Sequence, residues 1–440
     1  MPLRILFTNI TLASRTGTET YIKEGALGLL RRGHTPLVYS PDLGEIAAEI
    51  RAASVPVVDD LARLGAPPDV IHGHHHPQTM EALLHFPGVP AIFATHDWTI
   101  WHDAPPAFPR IRRYVAVDWT NRDRVLFEHG VPEDKVRVIL NWVDLDRFRP
   151  RGPLPGRPRR ALVYSNYARR DTHLPAIEEA CRRAGLDLDV AGSGVGRSLD
   201  DPGTVIADYD LVFAKAKSAL EALAVGTAVV LCDSRGLGQM VTGADFDALR
   251  RLNFGLRTLN RPLVPELIWR EIERYDPRDA AAVTQRVRQE AGLEPALDRL
   301  VALYEEVIAE QEREPPSDPA VEFRAAAVYL RAWAGWTNLR HMVTNLDQES
   351  EQLIHRLSEL EANIDTQRRQ FDLRVGETGD VERPQELESE LRATRLERDR
   401  LQETLDAALG TITWRLRQKL MRLPGLRRAW ETIRRPDQRR

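Results

Sequence analysis

The sequence predicts an α/β protein with two doubly wound domains, followed by a helical extension. Short β-rich runs alternate with helical periodicities from residue 3 to about 310, which is the pattern of parallel βαβ units. A basic segment rich in proline and glycine, Phe148–Arg160, interrupts this alternation near its middle and predicts a linker. After residue 310 the apolar residues fall on heptad spacing.

The boundaries that follow are residues 1–150 for the first domain and 151–312 for the second, each long enough for one sheet. The predicted strands are Arg4–Thr8, Thr35–Tyr39, Asp69–His72, Ala91–Thr95, Tyr114–Val117, Val136–Ile139, Ala161–Tyr164, Leu186–Ala191, Leu211–Ala214 and Ala228–Cys232. Ligands of such folds bind outside the carboxyl ends of the strands. Residues just after these strands are therefore the first candidates for a site.

The extension divides into an aromatic helix at 313–344, heptads at 345–412 and a basic tail at 413–440. The heptads form two runs, and the glycines and proline of Val375–Pro384 separate them. Two interpretations stay open. The runs form either an antiparallel hairpin on the same chain or a stalk that binds a second copy or a partner protein.

Charge is unevenly distributed along the chain. The 440 residues carry a net charge of −4. Residues 411–440 carry +8, which leaves −12 on the rest. This balance argues against a nucleic-acid-binding protein. Apolar and aromatic residues interleave with the tail arginines, which is typical of a helix on an anionic membrane surface; a solvated tail is the alternative.

Other features of the sequence restrict the class of protein. Two isolated cysteines, Cys181 and Cys232, indicate neither a disulfide framework nor a zinc module and fit a reducing compartment. No apolar run reaches the roughly 18 to 20 residues that span a bilayer. The location expected is therefore the cytoplasm, with peripheral attachment to the inner face of the membrane through the tail.

Several short segments occur in a fixed order along the first 310 residues. They are the Gly17–Glu19 turn, Arg32-Gly33-His34, Asp69-Val70-Ile71-His72, Ala94-Thr95-His96-Asp97, Asn141-Trp142-Val143-Asp144 continuing to Pro150, and Glu221-Ala222-Leu223-Ala224-Val225-Gly226. In order and spacing they resemble the glycosyltransferases of family 4, which have the GT-B fold. The resemblance implies two facing Rossmann-like domains, a nucleoside diphosphate sugar as donor substrate, no cofactor or metal, and retention at the anomeric carbon.

The resemblance also implies roles for three residues. His96 matches a histidine that faces the transferred sugar, where an imidazole can bind a hydroxyl and help to stabilise charge. Gly17 matches a glycine that lets the turn approach the donor phosphates, although the turn alone is a weak signal. Glu221 matches a glutamate that accepts hydrogen bonds from the ribose; outside this context it would compensate a helix dipole.

The sequence departs from the family pattern around the donor diphosphate. Instead of the usual Gly-Arg and Lys-Gly, it has Asn166, Arg169 and Arg170. The guanidinium groups of the two arginines can bind phosphate. Lys215 is a second candidate for a phosphate contact. The family's first glutamate would fall at Phe213, so that carboxylate is missing or displaced.

Two glycine-rich segments are further candidates for contact with the nucleotide. Gly192 and Gly194 follow one predicted strand, and Gly236 and Gly238 follow another. Backbone amides in such turns can bind an anion, although an ordinary tight turn is the simpler interpretation.

His72, His74, His75 and His76 invite a metal-site interpretation, but consecutive residues do not easily converge on one ion and no acidic cluster flanks them. The sequence therefore predicts no metal site and places these histidines in a loop at the edge of the cleft, close to the acceptor.

Together these features predict a glycosyltransferase that acts on a saccharide or lipid-linked acceptor in the synthesis of the cell envelope or surface polysaccharide. A catalytically degenerate scaffold that binds partners through its coiled coil is the alternative. A dinucleotide-dependent oxidoreductase is disfavoured because the GxGxxG fingerprint is lacking.

Overall fold

The computed structural model describes residues 2–197, 199, 201–314, 318–378 and 384–410, except for the side chains of 335–351, 370–378, 384–388 and 407–410. The chain divides into two compact units, Met1–Glu322 and Phe323–Arg440. The predicted basic tail, 413–440, lies outside the described residues. Among the helices of the described part, none is both long and apolar enough to cross a bilayer.

A seven-stranded parallel sheet forms the centre of the first domain. Its strands are β1 Arg4–Thr8, β2 Thr35–Tyr39, β3 Val57–Val58, β4 Val70–His74, β5 Ala91–Thr95, β6 Ile111–Ala116 and β7 Val136–Val138. Their order is β3-β2-β1-β4-β5-β6-β7. The order reverses between β1 and β4, and such a switch point opens a crevice at the carboxyl ends of the strands. Helices α1 Gly17–Arg31, α2 Glu45–Ala52, α3 His76–His85 and α4 Trp119–Asp123 connect the strands.

The second domain has a five-stranded sheet. Its strands are β8 Arg160–Tyr164, β9 Asp187–Ala191, β10 Leu211–Ala214, β11 Ala228–Asp233 and β12 Gly236–Met240, in the order β12-β11-β10-β8-β9. Only β12 runs antiparallel to its neighbour. The helices are α5 Leu174–Ala184, α6 Pro202–Ile206, α7 Ala216–Val225, α8 Phe246–Arg251, α9 Pro265–Ile272 and α10 Pro277–Glu290.

The sequence analysis missed β3 and β12. The two residues of β3 are too few for a periodic signal. In β12, Gly236 and Gly238 disguise the strand because glycine is depleted in strands. A Cβ on Gly236 would lie 2.7 Å from the carbonyl oxygen of Leu259, so glycine is needed there for close backbone packing.

Helix α11, Leu293–Arg313, returns from the second domain to the first. Its residues Leu297, Leu300 and Tyr304 are buried in the same core as Ile5 and Phe7 of β1. The apolar face of the helix therefore completes the first core. The predicted boundary at residue 312 placed this helix in the second domain, because it followed the order of segments along the chain. In the structure the apolar face of the helix packs on the first domain instead.

The second unit contains two long helices. Helix α12 is continuous over Pro319–Thr378, so the predicted aromatic helix and first heptad run are one element, and α13 covers Pro384–Gly410. Arg356 of α12 pairs with Glu397 of α13 at 3.3 Å. Leu357, Leu360 and Leu405 are buried. These contacts within one chain are those of the antiparallel hairpin, one of the two interpretations left open.

Candidate functional site

The candidate site is the cleft between the carboxyl edges of the two sheets. Lys217 of α7 crosses it, with its Nζ 2.7 Å from a carboxylate oxygen of Glu24 on α1 and 2.7 Å from the carbonyl oxygen of Trp142. At another point Arg257 of the second domain pairs with Asp123 of the first at 2.6 Å. These contacts hold α1 and α4 of the first domain against the second domain.

His96 lies at the carboxyl end of β5, where the sequence placed it. The loop that follows is held by Asp103, whose carboxylate accepts a hydrogen bond from the backbone N–H of His96 at 2.6 Å and another from that of Asp97. Asp103 is buried, and this burial raises the pKa of its carboxyl to about 7. A buried carboxylate that receives two backbone N–H groups fixes the loop and therefore the position of His96.

His96 is partly exposed as a residue, and the Nε2 of its ring lies 2.8 Å from Nδ1 of His74. Burial lowers the pKa of His96 to about 3. The imidazole is therefore neutral at pH 7 and acts through hydrogen bonds, not as a fixed positive charge.

The predicted histidine loop at the edge of the cleft is wrong for two of its members. His72 and His74 lie inside β4 with fully buried side chains, and only His75 and His76 reach the start of α3. Strand β4 extends two residues beyond its predicted end. Among the described residues, no group of histidine, cysteine and carboxylate side chains has the geometry to hold a metal ion.

Gly17 is the first residue of α1 and is exposed. A Cβ added to it would have no atom within 4 Å, apart from its chain neighbours. The preceding Thr16 makes no capping hydrogen bond and donates instead to Glu19. The fold itself therefore does not need a glycine here, and the helix N-terminus offers backbone N–H groups to a ligand.

Glu221 is buried on α7, close to the cleft. The hydroxyl of Tyr164 donates to its carboxylate at 3.2 Å, and Lys217 lies 3.8 Å away. Burial raises the pKa of Glu221 to about 7, although Lys217 acts in the opposite direction. At pH 7 this carboxyl is therefore poised between its two protonation states.

Lys215, immediately before α7, forms an ion pair with Asp233 at the end of β11. Its Nζ also lies 4.8 Å from the ring centroid of Tyr167. The expected phosphate contact of Lys215 stays a prediction, and in this structure Asp233 already compensates much of the positive charge of Lys215. Phe213, at the position of the family's first glutamate, is fully buried in β10.

The turn after β8 carries the remaining predicted phosphate contacts. Arg169 pairs with Asp171 at 3.2 Å, and Arg170 is exposed. Asn166 accepts a hydrogen bond from the backbone N–H of Ser193 at 3.0 Å. The turn after β8 is thereby joined to the one after β9.

Close backbone packing explains most of the glycines that the sequence analysis singled out in the second domain. Gly192 has φ +145°, and a Cβ there would lie 2.1 Å from the carbonyl oxygen of Ser165; one on Gly194 would lie 2.6 Å from that of Ala168. Both allow the two turns to pack closely. Gly236 and Gly238 lie within strand β12, and the prediction that they form a glycine-rich turn after the preceding strand is wrong.

Sequence reasoning missed the residues that contact Lys217 and His96. Glu24 lies on the face of α1 turned to the cleft, where it accepts from Trp142 Nε1 at 2.9 Å as well as from Lys217. The sequence could have placed His74 in the sheet beside His72, because residues two apart in a strand share a face. The predicted strand ended at His72, so His74 was assigned to a loop instead.

Comparisons with known proteins find one family model and several similar structures. Residues 15–147 match the family model described as Glycosyltransferase Family 4. A glycosyltransferase from Rickettsia africae is similar in structure, with 14% identity, a TM-score of 0.50, and coverage of 70% of this chain and 99% of that one. Anabaena HepE in complex with UDP and glucose has 14% identity, a TM-score of 0.48, and coverage of 68% and 99%. Trehalose 6-phosphate synthase from Burkholderia multivorans has 12% identity, a TM-score of 0.45, and coverage of 70% and 100%.

Among curated proteins, none matches this sequence. The predicted GT-B fold is confirmed, with two facing Rossmann-like domains. The resemblance to family 4 glycosyltransferases is confirmed over residues 15–147, which include Gly17 and His96.

Proposed function

We propose that this protein is a retaining glycosyltransferase that moves a sugar from a nucleoside diphosphate sugar to a saccharide or lipid-linked acceptor. The observation that carries the proposal is the position of His96 and Gly17. Both lie within the segment that matches glycosyltransferase family 4, just after strands of the first sheet at its carboxyl edge.

The donor diphosphate binds between the two helix N-termini. The residues before α1 and α7, Thr16 and Lys215, make no side-chain capping bond, which leaves backbone N–H groups in the first turn of each helix for phosphate oxygens. In α7 the first of these groups, that of Ala216, already donates to the carbonyl oxygen of Phe254 at 2.8 Å. Arg170 is exposed beside this position, and Arg169 and Lys215 can exchange their carboxylate partners for phosphate. These cations offset the charge of the leaving diphosphate without a metal ion.

Glu221 binds the ribose of the donor. A carboxylate accepts hydrogen bonds from two sugar hydroxyls, and such bonds favour its ionised form. Since burial raises the pKa of Glu221 to about 7, donor binding releases a proton from this group below pH 7. Tyr164 and Lys217 hold the carboxylate in place.

Retention follows from attack on the face that the diphosphate leaves. As the bond from the anomeric carbon to the phosphate oxygen breaks, a phosphate oxygen accepts the proton of the acceptor hydroxyl, and the new glycosidic bond forms on that same face. His96 is neutral and binds a sugar oxygen, which orients the ring. No protein carboxylate is required as a nucleophile.

The tail and hairpin place the enzyme near its acceptor. Residues 413–440 interleave arginines with tryptophan and leucine, and we assign them to the anionic inner surface of the membrane. A lipid-linked acceptor in the assembly of the envelope or a surface polysaccharide lies at that surface. Exposed apolar residues among the described part of the hairpin, such as Ile354 and Leu396, are available to a second copy or a partner protein.

The alternative, a catalytically degenerate scaffold, is favoured by two observations. Phe213 fills the position of the family's first glutamate and is fully buried in β10, so no carboxylate projects from there into the cleft. Lys215 and Lys217, which could bind phosphate, are both paired with carboxylates of the protein itself.

A thermal-shift screen of UDP-, GDP-, ADP- and dTDP-sugars separates the two functions, followed by calorimetry and a transfer assay with the best donor. The enzyme proposal expects saturable binding of one class and at least a 100-fold loss of kcat for His96→Ala. Exposed His85 on α3 supplies the matched control, His85→Ala, which should keep full activity. If no donor binds, the scaffold interpretation replaces the enzyme.

A further inference from the structure

Three imidazole rings form a ladder that ends at the cleft. His72 and His74 are two residues apart in β4 and share a face of the sheet. The ring of His74 stacks on that of His72, with centroids 4.5 Å apart, and on that of His96, with centroids 4.9 Å apart. His74 is fully buried, whereas His96 is partly exposed at the end of β5.

The backbone of His74 is held in place on both sides. The hydroxyl of Thr8 lies 3.2 Å from the N–H and 3.2 Å from the carbonyl oxygen of His74. A Cβ on the preceding Gly73 would lie 2.4 Å from the side chain of Thr79. His74 therefore presents its ring to His96 from a rigid position.

Counting protons on this pair leaves two arrangements. Burial keeps both rings neutral, because it lowers the pKa of His96 to about 3 and that of His74 well below its usual value. Each ring then carries one N–H, and the 2.8 Å bond joins His74 Nδ1 to His96 Nε2. Either His74 donates from Nδ1, or His96 donates from Nε2.

The opposite nitrogen of His74 decides between them. His74 Nε2 is buried and has no hydrogen-bond partner. If His96 donated, the single proton of His74 would sit on this atom as an N–H with no acceptor. If His74 donates, only a lone pair is left without a partner, and the N–H is satisfied. A buried donor without an acceptor loses its hydrogen bonds to water without replacement.

We propose that His74 is a positioning residue that donates its Nδ1–H to Nε2 of His96 and so holds His96 as the Nδ1–H tautomer. Nδ1 is then the one ring atom of His96 that offers a proton to a sugar oxygen. The assignment of the tautomer stands on the buried pair alone, whereas its use on a sugar rests on the proposed function.

Long-range ¹⁵N–¹H spectra of histidine-labelled full-length protein test the tautomer, with the His96 signals identified by their loss in His96→Gln. The expected wild-type pattern is that of a neutral Nδ1–H ring. His74→Leu removes the donor and should shift His96 to the Nε2–H pattern. His74→Asn places an amide N–H near the same point and should restore the Nδ1–H pattern, while His85→Leu should change nothing.

An Nε2–H pattern for His96 in the wild type overturns the proposal, as does an unchanged pattern in folded His74→Leu. The wild-type spectrum decides alone if that variant does not fold. In the transfer assay His74→Leu should lower kcat by about 10- to 100-fold, with little change in KM for the donor and recovery in His74→Asn. A wild type that transfers no sugar but keeps the Nδ1–H pattern refutes the enzyme and leaves the tautomer standing.

Discussion

The protonation of Glu221 gives a prediction whose size follows from the structure. Burial raises the pKa of its carboxyl from 4.5 to about 7 in the folded protein. The folded state therefore binds more protons than the unfolded chain between about pH 4.5 and pH 7. The stability that this group contributes is present in full below pH 4.5 and is lost as the pH rises through 7.

The loss amounts to about 3 kcal/mol, from the difference between 4.5 and about 7 at about 1.36 kcal/mol for each pH unit. Glu221→Gln keeps an oxygen for the hydroxyl of Tyr164 but cannot ionise. Relative to wild type it should be more stable at pH 8 by up to about 3 kcal/mol, which corresponds to roughly 5 °C or more in Tm for a domain of this size. At pH 4.5 the two proteins should melt together.

The assay is thermal unfolding of both proteins at intervals from pH 4.5 to 8.5. Glu179→Gln is the control of opposite sign, because the neighbouring Arg183 and Arg182 lower the pKa of that exposed carboxyl. It should bring no gain in stability at high pH. A Glu221→Gln variant whose advantage is absent at pH 8, or equal at every pH, would refute the buried, poised carboxyl.

Three further predictions concern the cleft and the tail. Gly17→Ala should leave Tm unchanged, since its Cβ meets open space, but weaken nucleotide binding about 10-fold in calorimetry; unchanged affinity would remove Gly17 from the donor site. Lys215→Ala should weaken binding of the nucleoside diphosphate more than that of the nucleoside. The control Lys135→Ala should affect neither, because Lys135 lies just before β7, at the edge of the first sheet opposite its carboxyl edge. Equal losses for both ligands would argue against a phosphate contact. Deletion of residues 411–440 should move the protein from anionic liposomes to the supernatant, and added salt should do the same to the full chain; unchanged sedimentation would contradict the membrane assignment.

The alternation of strands and helices could be predicted from the sequence because each strand is a short, strongly apolar run. Strands β1, β2, β5 and β10 have the bounds that were predicted. His96 was found through the resemblance of Ala94-Thr95-His96-Asp97 to family 4 glycosyltransferases. Strand β12 was missed because its two glycines carry no strand propensity. The end of β4 was missed because histidine is ambiguous between a strand and a loop.

Several structural features depend on contacts between residues that are far apart in the chain. Helix α11 joins the first core because its apolar face meets β1 and α1, a choice that chain order does not express. Asp103 becomes the anchor of the His96 loop only when the loop folds back on it. No local pattern indicates that Lys217 reaches Glu24 across the cleft.

The sequence by itself determined the number of sheets, the edge at which the site lies and the charged residues available there, since these depend on local periodicity and composition. Only the tertiary structure decided how those residues are used. Burial sets the protonation state of Glu221 and His96, and the ion pair with Asp233 offsets the charge of Lys215, because desolvation and the distance to a partner are not written in the local sequence.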